Sequence, residues 1–239
     1  MKRVSGLNEE QNAQLIKQWE NNQHNDHEVS IDLSGQGDSL DNFLVCRGVL
    51  NPTSVTSRYC ASYLYYNNKR LFADKTVIDM GCGSGLLGLV MALYGAKSVI
   101  FSDISRSAFR NTKENIARFK IKDKSVLLQG DLFEKISEKV DLIVFNHPFF
   151  TGNPFFGGTI ASSMLAPVNL IQSFLKEAPK HLNEGGFVLM PYYAKAGDTN
   201  DPAVQGLKYG FEVVNTFKVN ASHGLQTGEI KICELFIKD

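Results

Sequence analysis

The chain has 239 residues, in which 25 Lys and Arg balance 25 Asp and Glu. This length predicts one large domain, or one domain with an extension, and a hydrophobic share of 43% is typical of a globular core. The net charge of zero argues against a broad nucleic-acid-binding surface, because such a surface carries an excess of Lys and Arg. A small basic patch remains compatible with this balance.

The spacing of the cysteines and the length of the apolar runs indicate the cellular compartment. The cysteines are Cys46, Cys60, Cys82 and Cys233. They form no C-x-x-C pair, which argues against a metal site and against a disulfide framework. No apolar stretch follows the first two cations as in a secretory signal, and no run approaches the ~20 residues of a membrane span. We therefore expect a cytoplasmic protein with reduced thiols, no metal and no membrane partner.

Residues 1–50 differ in pattern from the rest of the chain. Residues 5–19 predict a helix, residues 29–33 alternate as a short strand, and a polar loop follows at 34–39. We interpret residues 1–50 as a helical or irregular extension, a lid or substrate collar, and 51–239 as the main domain. That domain is expected to begin with a helix capped by Asn51, with Pro52 at its first position, running to residue 66.

From residue 76 onward, short apolar runs alternate with amphipathic stretches. The predicted strands are 76–80, 98–102, 126–129, 140–146, 186–190, 212–219 and 229–237, and the predicted helices are 86–94, 105–119, 168–182 and 202–209. Such alternation predicts an α/β fold, a mostly parallel sheet with helices on both faces. No helix separates the last two strands, so they should pair antiparallel. Ligands of such sheets bind beyond the carboxyl ends of the strands.

A glycine-rich loop follows the first of these strands. Residues 77–88 read VIDMGCGSGLLG, with Gly81, Gly83 and Gly85 at alternate positions before a helix. Glycines allow a tight turn and a close approach of the backbone to a ligand. The spacing also fits a dinucleotide-binding G-x-G-x-x-G loop, so an NAD(P)-dependent oxidoreductase is an alternative. Asp79 favours a different ligand, because an acid there repels a pyrophosphate and attracts a cationic amino acid head.

This loop resembles the first motif of class I S-adenosylmethionine-dependent methyltransferases, and later positions agree with that family. Asp103 ends the second strand and Asp131 follows the third. The resemblance implies a Rossmann-like fold of seven strands, in which Asp103 accepts from the ribose hydroxyls and Asp131 from the adenine amino group. The implied cofactor-binding residues are Thr56, Asp79, Gly81, Cys82, Gly83, Gly85, Asp103, Ile104, Asp131, Leu132 and Asn146.

The fourth strand ends in Asn146, His147, Pro148 and Phe149. This NHPF tetrad resembles the [D/N]-P-P-[Y/F/W] motif of methyltransferases that act on planar amino groups. The resemblance implies that the Asn146 side-chain oxygen and the carbonyl of residue 147 accept both N–H bonds of the acceptor, while Phe149 stacks on it. The family usually has Pro where this chain has His147. A backbone role is expected for His147, and action as a base remains an alternative.

Two further features surround this motif. Residues 49–57 are similar to the L-x-P-x-x-x-T element of the same enzymes, which implies that Thr56 lies near the cofactor. The match is partial, because Thr53 and Ser57 stand where the family usually has Arg and an acid. Downstream, Phe149, Phe150, Phe155 and Phe156 cluster around a turn-rich segment. They form either an aromatic substrate wall or the packing of a loop against its own domain.

The favoured function is transfer of the sulfonium methyl of S-adenosylmethionine to a nitrogen, a planar amide or an aromatic amine. The acceptor stays open between a small molecule, an RNA base and a protein glutamine. Two other functions remain as alternatives: the oxidoreductase above, and a non-catalytic binding module that retains the fold as a scaffold. The sequence indicates no oligomeric state.

Overall fold

The computed structural model describes residues 4–152, 163–223 and 226–238. The strands in chain order are β1 (His27–Asp32), β2 (Ser39–Val45), β3 (Thr76–Met80), β4 (Ser98–Asp103), β5 (Ser125–Gln129), β6 (Val140–Phe145), β7 (Phe150–Thr151), β8 (Leu165–Ala166), β9 (Leu182–Tyr193), β10 (Phe211–His223) and β11 (Gln226–Ile237). The helices are α1 (Glu9–Asn21), α2 (Val55–Tyr66), α3 (Asn68–Leu71), α4 (Leu86–Leu93), α5 (Arg106–Arg118), α6 (Leu170–Glu177) and α7 (Pro202–Lys208). None of these helices combines the length and the hydropathy needed to cross a membrane.

Seven strands form one sheet in the order β10-β11-β9-β6-β3-β4-β5. The neighbours from β9 to β5 pair parallel, whereas β11 pairs antiparallel with both β9 and β10. This confirms the predicted Rossmann-like α/β fold with one antiparallel strand at the end of the chain. Strand order reverses between β3 and β6, because the chain first moves outward to β4 and β5 and then returns to the other side of β3. A crevice therefore opens at the carboxyl ends of β3 and β6.

The central strands carry apolar residues on both faces because both faces of the sheet are covered. Val77 lies in one buried cluster and Ile78 in another, as the alternation of a strand requires. Helix α4 approaches the sheet closely at Gly88, where an added Cβ would lie 2.1 Å from the Phe101 ring. Gly88 is thus required for helix–sheet packing, and this packing fixes the helix that follows the glycine loop.

The N-terminal part differs from its predicted form. The structure has an antiparallel hairpin of β1 and β2, where the sequence predicted one strand and a loop. Strand β2 escaped prediction because Asp41 and Asn42 interrupt its apolar alternation, and Asn42 has a φ of 57°. Helix α1 begins at Glu9 behind an Asn8 and Gln11 capping box, later than the predicted residue 5. The division of the chain at residue 50 stays a prediction.

The predicted start of the second helix was wrong. Ser54 is the N-cap of α2, which begins at Val55. The Asn51 side chain instead accepts a hydrogen bond at 3.0 Å from the backbone N–H of Thr53, so it closes a turn. Asn51 and Pro52 therefore shape the approach to the helix and lie outside it.

Two buried asparagines of α5 hold the hairpin to the domain. The side chain of Asn115 accepts from the Leu44 N–H at 3.0 Å and donates to the Leu44 carbonyl at 2.9 Å. Asn111 accepts from the Cys46 N–H at 2.8 Å and also donates to the Leu44 carbonyl. These amides satisfy the backbone groups on the edge of β2, which none of the described strands covers on that side.

We expect Asn115→Ala to lower the free energy of unfolding by about 2 to 4 kcal/mol, because it leaves the buried Leu44 N–H without its partner and removes the Asn115 hydrogen bonds to the Leu44 and Ser84 carbonyls. Urea denaturation followed by circular dichroism measures this change. Lys113→Ala, an exposed position on the same helix, is the control and should change stability by less than about 0.5 kcal/mol. Equal stability of both variants would contradict the role assigned to Asn115.

Candidate active site

A cavity of about 410 Å³ lies at the carboxyl ends of β3, β4 and β6. Of the predicted site residues, those that line it are Asp79, Gly81, Cys82, Gly83, Asp103, Ile104, Asp131, Leu132, Asn146 and Pro148. Residues from distant parts of the chain therefore meet at the crevice that the strand order creates. A smaller adjoining cavity of about 50 Å³ has Thr56, His147 and Phe149 in its wall.

The glycine loop turns with left-handed backbone conformations. Gly81 has a φ of 60°, and an added Cβ would lie 3.1 Å from the Phe145 ring. Gly83 has a φ of 57°, and its N–H donates to the Asp103 carboxylate at 2.9 Å. Gly85 caps α4 with a φ of 87° but does not line the larger cavity. Gly81 and Gly83 thus form the wall, whereas Gly85 shapes the turn behind it.

Buried acids dominate the electrostatics of the larger cavity. Burial raises the pKa of Asp79 to about 7, and one of its oxygens accepts from the Gly88 N–H at 2.7 Å. Burial also raises the pKa of Asp103, although its two oxygens accept from the N–H groups of Ser105 and Gly83. Asp131 is exposed at the rim. A cationic ligand would stabilise the charged forms of the buried pair.

The remaining cavity wall fits a nucleoside. The buried Ser102 hydroxyl lines the cavity and has no hydrogen-bond partner among the described residues. Ile104 is 64% exposed at the cavity, and Leu132 adopts a φ of 45° there. An apolar pair of which Ile104 is exposed and Leu132 half-buried suits a flat base, and the strained backbone of Leu132 is typical of a ligand site. Together with the acids, these residues fit S-adenosylmethionine, which joins an adenosine to a cationic amino acid head.

The Cys82 thiol is a packing group. Its pKa is raised by burial, and its sulfur lies 3.4 Å from the Thr112 hydroxyl. A thiol becomes a nucleophile when its pKa falls, so the environment of Cys82 suppresses that chemistry.

Asn146 lies where the two cavities meet. Its Nδ2 donates to the Ser57 hydroxyl oxygen at 2.9 Å, and the Ser54 hydroxyl donates to the same oxygen at 3.2 Å. The Asn146 Oδ1 accepts no hydrogen bond from the residues that the structure describes. Ser57 therefore fixes the amide so that its oxygen remains available to a ligand. Ser57 stands where the resemblance places an acid, and an acid would accept the same bond.

The His147 ring is a buried brace for the loop. Its Nε2 donates to the backbone carbonyl of Asn200 at 3.0 Å, and its plane lies parallel to the Tyr192 ring with centroids 5.8 Å apart. Burial lowers the pKa of His147 to about 4, so the ring is neutral near pH 7. Its Nδ1 has no hydrogen-bond partner in the described part of the chain.

Asn200 holds the other side of the tetrad. Its side-chain amide donates to the Phe149 carbonyl and to the Thr151 hydroxyl, both at 2.8 Å. Phe149 packs edge-on against the Tyr192 ring and also lines the smaller cavity, as does Phe150. This part of the predicted aromatic cluster both packs and faces the cavity. Phe155 and Phe156 lie outside the described residues.

Sequence reasoning missed several residues of the site. Gln14 and Gln18 of α1 line the smaller cavity, and Asn200 holds the loop beneath it. Ser57 lines both cavities, and its departure from the family pattern was the signal that marked it. Thr56, predicted near the cofactor, lies in the wall of the smaller cavity only, and its role stays a prediction.

Comparison with known families agrees with this geometry. Residues 61–220 match the family model of the methyltransferase small domain. The chain belongs to this family. The match covers the parallel strands from β3 to β9, the glycine loop and the NHPF tetrad, so it confirms the resemblance seen in the sequence.

Curated relatives cover only part of the chain. A ribosomal protein L11 methyltransferase of Alkaliphilus metalliredigens (strain QYMF) is 37% identical over 94 residues, or 39% of this chain and 29% of the relative. Another, of Clostridium perfringens (strain SM101 / Type A), is 40% identical over 91 residues, or 38% of this chain and 28% of the relative. The match thus spans less than a third of the length of these relatives.

Solved structures share the fold. A ribosomal protein L11 methylase from Lactobacillus delbrueckii subsp. bulgaricus has a TM-score of 0.55 at 23% identity, covering 77% of this chain and 79% of that one. The T. thermophilus 16S rRNA methyltransferase, solved with AdoMet and guanosine, has a TM-score of 0.63 at 19% identity, covering 90% and 51%. This similarity establishes a class I methyltransferase fold for the chain.

The buried His147 predicts a pH-dependent stability. Its pKa is about 4 in the folded protein against 6.5 for an ordinary histidine, so the unfolded chain binds the proton first as the pH falls. The stabilisation is complete above pH 6.5 and is lost towards pH 4. Between pH 7 and pH 4, the parent should lose about 3 kcal/mol more than His147→Gln.

Urea denaturation at several pH values measures this difference. The raised pKa of Asp79 acts in the opposite direction, but it is common to both proteins and cancels in the comparison. Parallel pH profiles for the parent and His147→Gln would contradict a buried neutral ring.

Proposed function

We propose that this protein transfers the methyl group of S-adenosylmethionine to the nitrogen of a neutral, planar amide or aromatic amine. The observation that carries the proposal is the fixed amide of Asn146 at the junction of the two cavities, with its Nδ2 bonded to Ser57 and its Oδ1 without a hydrogen bond from the described residues. The Asn146 Oδ1, which can accept a hydrogen bond from the substrate, thus lies between a cavity suited to the methyl donor and a smaller one suited to the substrate that receives the methyl group.

The larger cavity supplies the donor site. Asp103 would accept from ribose hydroxyls, Asp131 would meet the adenine amino group, and the glycine loop near Asp79 would receive the cationic amino acid head. Bound S-adenosylmethionine supplies an electrophilic methyl group on a positively charged sulfur. The chain's own contribution here is binding and orientation, because the methyl is already activated.

The smaller cavity favours a neutral acceptor. Among the described residues that line it, none is Asp, Glu, Lys or Arg, and His147 is neutral near pH 7. An alkylammonium group would enter this wall without a counter-charge, at a high desolvation cost. A planar amino group enters uncharged, and the apolar faces of Pro148 and Phe149 suit its flat shape.

Asn146 and the carbonyl of His147 can overcome the weakness of such a nucleophile. A planar nitrogen delocalises its lone pair, so it must become tetrahedral before it attacks. The Asn146 Oδ1 and the residue 147 carbonyl accept its two N–H bonds and stabilise the positive charge that develops as the N–C bond forms and the C–S bond breaks. The methylated nitrogen then loses one of its protons to solvent. His147 acts through its backbone in this scheme, since its ring is braced and weakly basic.

The candidate methyl acceptors are RNA bases, protein amides and small metabolites. The curated relatives are named for ribosomal protein L11, and one solved neighbour holds guanosine. Incubation of the protein with a labelled methyl donor and each pool in turn identifies the acceptor. Label on a planar nitrogen supports the proposal, whereas label only on oxygen, carbon or an alkyl amine overturns it.

We expect the protein to bind S-adenosylmethionine and its demethylated product, and Asp103→Asn to weaken both by about 10- to 100-fold. The loss of charge removes strong hydrogen bonds to the ribose and disturbs the amide contact with Gly83. Isothermal calorimetry measures the affinities. Asp123→Asn, an exposed acid away from the cavity, should bind as the parent does. Failure of the parent to bind at high micromolar concentration would exclude this donor.

Ser57 provides a test of the amine-orienting role. Asn146→Ala should abolish turnover while weakening donor affinity far less, because it removes the oxygen that orients the amine but only one of many residues in the donor cavity. Ser57→Ala should lower kcat about tenfold through misorientation of Asn146, while Ser57→Asp should retain most activity because a carboxylate also accepts from Nδ2. Steady-state kinetics with labelled donor measures this. Full activity in Asn146→Ala, or equal loss in both Ser57 variants, would contradict the scheme.

A further inference from the structure

Helix α1 is fixed across the acceptor end of the domain. Leu15 is fully buried, and Trp19 packs in the same cluster with Tyr193 and Ile230. The Gln11 amide donates to the Lys195 carbonyl at 3.1 Å, so α1 is tied to the segment that follows β9. The Lys195 ammonium also lies 2.7 Å from a carboxylate of this helix. Packing and polar contacts together hold one face of α1 against the smaller cavity.

Two glutamines lie on that face. Gln14 and Gln18 are one helical turn apart, half-buried, and both line the smaller cavity that contains Asn146. The Tyr193 side chain lies in the same cavity wall as Gln14. The Gln18 side chain has no hydrogen bond to any residue that the structure describes. Its amide is therefore a donor and acceptor pair at the cavity that no described side chain or backbone group engages.

We infer that Gln18, supported by Gln14, determines acceptor specificity by hydrogen-bonding the polar edge of a heteroaromatic amine whose amino group lies at Asn146. This inference rests on the proposed function, because it assigns the second contact of the same acceptor. A carboxamide offers a donor beside an acceptor, and the edge of a nucleobase carries the same pair.

The chemistry of the wall makes this contact selective. A substrate without a complementary donor and acceptor would leave the Gln18 amide without a hydrogen bond in a desolvated cavity. The loss of binding free energy would exceed that caused by a poor apolar fit. The described cavity wall has no charged side chain to compensate. Aromatic faces from Phe149 and Tyr193 lie in the same wall, and they favour a flat ring over a flexible amide chain.

Calorimetric titration of the full chain, saturated with S-adenosylhomocysteine, tests the inference. The probes are guanosine, adenosine and cytidine, with lysine amide as an alkylammonium. We expect at least one nucleoside to bind, and Gln18→Ala and Gln14→Ala to weaken it about tenfold and less than tenfold, respectively. Gln23→Ala is the matched control, since Gln23 is exposed and lines neither cavity. Thermal denaturation of each variant establishes that it is folded.

The outcomes separate this inference from the proposed function. Nucleoside binding that weakens in Gln18→Ala but not in Gln23→Ala supports the inference, even if no methyl product forms, in which case the proposed function fails alone. Equal affinities in parent and Gln18→Ala, no nucleoside binding at about 5 mM, or binding of lysine amide alone would overturn it. Methyl transfer to nitrogen that is unchanged in Gln18→Ala would sustain the proposed function and remove the specificity role.

Discussion

The reversal of strand order at β3 is the constraint on which the site depends. Since β4 lies on one side of β3 and β6 on the other, the loops that follow β3 and β6 diverge and leave a crevice between them. The glycine loop enters this crevice from β3, Asp103 from β4 and Asn146 from β6. Gly88 keeps α4 close to the sheet, so the loop amides stay at the cavity floor. No single loop creates the site, and the sheet determines which residues meet.

Around this crevice, side chains form the hydrogen bonds that backbone groups form with one another in regular helices and sheets. Asn111 and Asn115 pair with the free edge of β2, Asn200 holds the Phe149 carbonyl, and Ser57 holds the Asn146 amide. Each bond satisfies a polar group that folding would otherwise bury without a partner. The smaller cavity is polar but uncharged along its described wall, which suits the neutral acceptor proposed for it.

Sequence reasoning predicted the parts of the fold and of the site that follow from local pattern. Strand and helix alternation gave the sheet, and the glycine loop with Asp103 and Asn146 placed the larger cavity correctly at the strand ends. Contacts between segments distant in sequence were beyond it. Gln18 is an ordinary polar residue of an amphipathic helix, and only tertiary packing brings it to the cavity. Strand β2 was missed because Asp41 and Asn42 interrupt its apolar alternation, and its hydrogen bonds with α5 side chains are tertiary contacts that local pattern does not show.

The histidine in the tetrad shows how a loop can keep its geometry without the usual proline. Proline restricts a loop by fixing its own backbone dihedral. In this chain the His147 ring, bonded to the Asn200 carbonyl and packed parallel to Tyr192, provides a tertiary restraint. The Asn200 side chain in turn restrains the same loop, because it donates a hydrogen bond to the carbonyl of Phe149, two residues after His147. Because the ring is held by Asn200, the role proposed for the carbonyl of residue 147 does not require a proline at that position. The restraint also couples the tetrad to the segment after β9, so the acceptor loop depends on packing that a proline would not need.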